Sequence, residues 1–74
     1  MSDSPVTILR GQRLIRRPEV EDRVGLITAT IYRLMRRGQF PKPIEIHGPQ
    51  CVGWIESEID EWIAAKIEAA RGVA

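Results

Sequence analysis

The stretch from Pro18 to Gly38 constrains this chain most. Two short apolar-periodic segments stand back to back there, each closed by a glycine, with only Gly25-Leu26-Ile27 between them. Proline is tolerated at the first helical position because that N–H has no intrahelical partner, so a first helix is predicted to start at Pro18. Glu19, Glu21 and Asp22 put negative charge in its opening turns, where the helix dipole favours it. Val20 and Val24, four apart, share a face. Gly25 takes a positive φ at no steric cost and reads as a stop. A second helix is predicted from about Thr28 to Arg37. At 100° per residue, Ile31, Leu34 and Met35 line one side of it. Ala29, Tyr32, Arg33 and Arg36 line the other, with Arg37 at the flank, and Gly38 ends the helix. Two short helices joined by a tight glycine-containing turn are the pattern of a helix-turn-helix.

The rest of the chain adds a wing and a third helix. Pro41 and Pro43 forbid helix and favour an extended connection. Ile44, Ile46 and the segment from Cys51 to Ile55 are β-prone, and His47-Gly48-Pro49-Gln50 between them is rich in turn residues, so a hairpin is expected. From about Ser57 to Ala70, Ile59, Trp62, Ile63 and Ile67 form the apolar stripe of a further helix, with Ser57 and Asp60 as a capping pair and Gly72 as terminator. Upstream, the pairs Ile8-Leu9 and Leu14-Ile15 either pack beneath the first helix or form a short extended entry. Residues 1–7 are polar, carry Pro5 and read as a flexible tail before a single domain spanning 8–72. The predicted class is α+β, mostly α: a small winged helix-turn-helix.

Size and composition exclude much else. A chain of 74 residues allows one thin core. One cysteine, Cys51, cannot form an internal disulfide, and one histidine, His47, removes most His-based metal sites and catalytic triads. Together they are two potential ligands where a zinc site needs three or four, and no third group orients them as nucleophile and base. No cofactor, no metal and no enzymatic activity are expected. No apolar run reaches the roughly 18 residues that span a bilayer, and the N-terminus lacks a signal-peptide core, so a cytoplasmic, nucleoid-associated protein without membrane contact is expected. Glu56, Glu58, Asp60 and Glu61 at the start of the third helix read as dipole complementation. Trp54 and Trp62, set among apolar neighbours, read as core.

Charge is segregated along the chain. Eight arginines stand against three acids between Arg10 and Arg37; from Gly38 onward Lys42, Lys66 and Arg71 stand against six acids. By itself this fits either a solvated basic face or a polyanionic partner. Inside a helix-turn-helix it acquires a direction, because such a fold presents one helix to the major groove of double-stranded DNA. Arg33 and Arg36 are then placed to reach base edges, and the hydroxyls of Thr28 and Tyr32 to donate to phosphate or sugar. Arg16, Arg17, Arg37 and Lys42 flank that helix as phosphate neutralisers. In the wing, His47 and Gln50 stand at the turn.

The runs Leu14-Ile15-Arg16-Arg17-Pro18-Glu19-Val20, Val24-Gly25-Leu26, Thr30-Ile31-Tyr32-Arg33-Leu34, Gly38-Gln39-Phe40-Pro41-Lys42-Pro43 and Val52-Gly53-Trp54 resemble the AlpA-like phage regulators. These are similar to excisionases and, more distantly, to the DNA-binding domain of MerR-type activators. The resemblance covers about Leu14 to Ile67, and its most specific parts are Phe40-Pro41-Lys42-Pro43, Gly53-Trp54 and Trp62. It implies a winged helix-turn-helix, sequence-specific DNA binding, a role in prophage or mobile-element transcription or excision, and no cofactor. The chain departs from the family at Ile27, where a capping serine is common, at Thr28, where an arginine is common, and at Gln50 and Ile55, where the wing is often more basic. Thr28 is expected to take over the helix cap.

Two function classes follow. The first is a DNA-binding transcriptional regulator, with an excisionase-type directionality factor acting beside an integrase as its variant. The second is a protein-interaction module on the same scaffold, docking a basic partner through its acidic third helix. A single module covers little DNA, so repeated sites, a homodimer or cooperative assembly on DNA is expected.

Overall fold

The computed structural model describes residues 12–72. The expected tail and the pair Ile8-Leu9 lie outside them. The elements run β1 (Leu14–Ile15), α1 (Arg17–Val24), α2 (Thr28–Arg36), β2 (Ile44–Glu45), β3 (Val52–Ile55) and α3 (Glu56–Ala70). This is the small winged helix-turn-helix, with three helices and a three-stranded antiparallel sheet ordered β1-β3-β2.

The helix ends follow the local chemistry. Pro18 falls in the first turn of α1, one residue inside the observed start, where the first four N–H groups have no helical partner in any case. Gly25, at φ 73°, closes α1 with its N–H on the Glu21 carbonyl at 2.8 Å. At the end of α2, Gly38 (φ 71°) donates to Met35 O at 3.0 Å and Gln39 to Leu34 O at 2.8 Å. That pair of bonds is a Schellman motif, which needs the left-handed residue glycine supplies. Two expected caps are absent. The α2 N-cap is Ile27 and the α3 N-cap is Ile55, neither with a side-chain bond. Thr28 is already helical and donates its hydroxyl to the Glu21 carboxylate. Ser57 is in the first turn of α3, its Oγ 3.5 Å from Gln12 Oε1.

Leu14-Ile15 takes the extended alternative. It pairs with β3 in the register Leu14↔Ile55 and Ile15↔Trp54, while β2 pairs on the other side through Ile44↔Gly53 and Glu45↔Val52. The backbone bond Glu56 N–H to Arg13 O at 2.7 Å extends the first ladder. Side chains alternate across a sheet, so Ile15 and Trp54 point inward while Leu14, Gly53, Ile55 and Ile44 share the outer face. On that face the Ile46 side chain and Leu14 converge over Gly53.

The core takes one buried apolar side chain from nearly every element: Ile15, Val20, Ile31, Trp54 and Ile59, with Phe40 from the loop after α2. Val24, Leu34, Met35, Trp62 and Ile63 pack around them half-buried. The expected α3 stripe therefore holds through Ile63 and then runs off the core, since Ile67 is 47% exposed. Among the described residues no helix is long and apolar enough to cross a membrane.

Candidate nucleic-acid interface

The outer face of α2 is exposed where the sequence places its cations. Ile31 is fully buried and Leu34 and Met35 half-buried, which fixes the helix rotation. Ala29, Arg33, Arg36 and Arg37 are consequently exposed, and Tyr32 is half-buried at the edge of the face. Both basic residues of the last helical turn, Arg33 and Arg36, sit where the dipole favours positive charge.

The arginines divide into two sets. Arg23 bridges α1 to α3, with its guanidinium 2.6 Å from Glu56, 3.2 Å from Asp60 and 3.1 Å from Glu19. Arg13 joins the same cluster at 2.9 Å from Glu19 and 3.5 Å from Glu56. The hydrogen bond from Arg13 holds the Glu19 carboxyl below its ordinary range, against a smaller opposing effect of desolvation. The bond to Glu56 raises Arg23, and the bond to Glu19 raises Arg13. Arg17 pairs with Glu21 at 3.3 Å along α1. By contrast, no carboxylate among the described residues pairs with Arg16, Arg33, Arg36, Arg37 or Lys42. The acids at the start of α3 thus do more than complement a dipole: Glu56 and Asp60 also hold α1.

Two candidate contacts have other engagements. Arg17 belongs to the Glu21 pair, and the same carboxylate accepts the Thr28 hydroxyl. That brings a negative charge from α1 to the N-terminus of α2, which has no acidic residue in its own first turn. For Thr28 to donate to phosphate, this bond would have to break.

Lys42 leaves a loop that is fixed at several points. Trp54 Nε1 donates to the Pro41 carbonyl at 2.9 Å, and Trp62 Nε1 to the Gln39 carbonyl at 2.9 Å. Phe40 between them is buried and meets the Trp62 ring edge-on, centroids 4.9 Å apart. The outer side of Trp62 carries the Lys66 ammonium 5.3 Å from its ring centroid. Trp54 is fully buried and Trp62 half-buried against the core. The interior role of Phe40 escaped sequence reasoning, because a single aromatic before two prolines shows no periodicity.

The wing is short. His47 and Gln50 are both exposed, and the turn closes through Ile46 N–H to Cys51 O at 2.7 Å, His47 N–H to Cys51 O at 3.2 Å and Cys51 N–H to Gly48 O at 3.0 Å. Among the described residues, no three His, Cys, Asp or Glu side chains gather to hold a metal ion.

The sequence profile of the prophage CP4-57 regulatory protein (AlpA) family matches residues 13–67, which spans every strand of the sheet, both short helices and most of α3. An uncharacterized protein, ORF88, of Enterobacteria phage P4 is 38% identical over 67 residues, covering 90% of this chain and 75% of its own. The DNA-binding transcriptional activator AlpA of Escherichia coli K12 is 38% identical over 60 residues, covering 73% of this chain and 84% of its own. Sequence match, helix-turn-helix and wing agree: the chain belongs to the AlpA family of prophage regulatory proteins.

Proposed function

We propose that this chain is a DNA-binding transcriptional regulator of a prophage or mobile element, inserting α2 into the major groove and laying the hairpin along the backbone or minor groove. The observation that carries the reading is the division among the arginines. Arg13, Arg17 and Arg23 are spent on internal ion pairs, whereas Arg33, Arg36 and Arg37 stand on one exposed helix face with no carboxylate partner among the described residues. A fold that pairs its structural cations and leaves a helical face of cations unpaired is suited to a polyanion. The relative in Escherichia coli K12, by name a DNA-binding transcriptional activator, supports the same reading.

A module of this size covers about 600–1,000 Å² of protein surface on DNA, so useful specificity calls for repeated sites or a second copy. Fluorescence anisotropy with duplexes from upstream of the protein's own gene tests the proposal. Those fragments should bind more tightly than random duplex, and Arg33→Ala with Arg36→Ala should abolish the difference. Affinity should fall by orders of magnitude between 50 and 200 mM salt if six or more phosphates are neutralised, and in proportion for fewer. Equal binding to random duplex, with the double variant unchanged, would defeat it. Binding of a protein through an apolar surface would show almost no salt response.

A further inference from the structure

An open cleft of about 370 Å³ lies between α2 and the loop that follows it, lined by Tyr32, Met35, Arg36, Lys42 and Pro43. Its chemistry is uneven in a telling way. Three of the five residues can donate hydrogen bonds, two of these carry positive charge, and the other two are apolar. A guanidinium fork, an ammonium and a phenol O–H around one hollow suit an anion with several acceptor oxygens. Met35 and Pro43 add apolar surface beside these donors.

Lys42 is held ready for such a contact. The residues before it are pinned by both indole N–H groups and by buried Phe40, and Pro41 and Pro43 restrict the backbone on either side. Fixing the loop in advance reduces the entropy lost when the side chain engages a ligand. Arg36 approaches from the helix side and Tyr32 lies one turn before it, so the two elements flank the hollow like a clamp.

The cleft does not include Arg33. Three residues apart on a helix, Arg33 and Arg36 point about 60° away from each other, with Arg33 on the flank shared with Ala29 and Arg37. We infer that Tyr32, Arg36 and Lys42 form a seat for one phosphodiester of the DNA backbone, and that base readout by α2 falls to Arg33 rather than to Arg36. The inference rests on the DNA-binding reading and reassigns Arg36, which sequence spacing alone groups with the base-reading residues. Backbone contacts set register and orientation, while base-edge contacts carry discrimination. The two arginines should therefore fail differently when removed.

The test is a salt series of anisotropy titrations with two probes, an upstream duplex and a random-sequence duplex of equal length. Wild type, Arg36→Ala, Lys42→Ala, the double variant and Arg33→Ala are compared, with circular dichroism melting as a folding control on these exposed positions. Arg36→Ala and Lys42→Ala should weaken both probes by the same factor and leave their ratio unchanged. Loss of one full phosphate contact lowers the slope of log K against log salt by about 0.9, equivalent to about eightfold in affinity at 0.1 M salt. Because both cations serve one phosphate, a single variant that keeps the other cation should lose at most about 0.9 in slope, and the double variant about 0.9, not about twice that. Arg33→Ala should collapse the ratio between the probes. A fall in that ratio with Arg36→Ala, a slope loss in the double variant near twice about 0.9, or an unchanged slope in the double variant would overturn the seat. A wild-type chain that binds neither probe would instead overturn the DNA-binding reading beneath it.

Discussion

Trp54 shows how much can depend on a single side chain in a domain this small. Its ring fills the centre of the core from β3, and its indole N–H satisfies the Pro41 carbonyl at 2.9 Å. Trp54→Phe would leave that carbonyl without its partner and the space around the smaller ring incompletely filled. A cost of about 2–3 kcal/mol is expected from the two effects together. In a domain of this length each kcal/mol lowers Tm by about 4–8 °C, so thermal unfolding followed by circular dichroism should register it clearly. Gly53 next to it is constrained by space instead. A Cβ there would lie 2.8 Å from the Ile46 Cδ1 methyl and 3.2 Å from the Ile15 carbonyl oxygen. The methyl can rotate away; the backbone oxygen of β1 cannot. Gly53→Ala should therefore destabilise by about 1–3 kcal/mol, measurable as a shifted urea midpoint. That both tryptophans face inward was legible from their apolar neighbours. Their carbonyl partners were not, because these belong to a loop whose return path depends on where the sheet lies.

The elements are joined by charge as well as by apolar packing. Arg13 and Arg23, together with Glu19, Glu56 and Asp60, tie β1, α1 and the first turns of α3 into one ion-pair cluster. Along the sequence these residues look like parts of a basic half and an acidic half; folding brings two arginines of the one onto two acids of the other. The cluster has a pH signature. The folded state lowers the Glu19 carboxyl below its ordinary value of 4.5, chiefly through the hydrogen bond from Arg13. Such a group adds stability above its unfolded pKa and loses it as pH falls through the lower folded value. The guanidiniums stay charged throughout. Urea midpoints should thus be level from pH 7 to about pH 5.5 and decline at more acid pH, and Glu19→Gln should flatten that decline. The sequence could not announce this cluster, because Arg23 and Glu56 are 33 positions apart.

At the scale of the whole molecule, each element except β2 gives the core one fully buried side chain, so none of β1, α1, α2, β3 and the early part of α3 can be removed without opening the interior. The later part of α3 is different. Beyond Ile63 every described residue is exposed, Ile67 included. A chain ending after Ile67 should keep its Tm within about 4 °C of the intact protein and bind DNA with unchanged affinity. A loss of Tm beyond that range would show that the exposed distal turns contribute to the stability of the fold. Local pattern was enough for the helix-turn-helix, the hairpin and the exposed face of α2, since helix period, glycine stops and proline breaks act over a few residues. It was enough to say which cations are on that face. It could not say which cations are already spent, which strand borders β3 on its far side, or that Arg36 and Lys42 share a cleft from which Arg33 is absent. Those depend on where distant segments meet, and pairings between remote parts of a chain leave no periodic trace in its sequence.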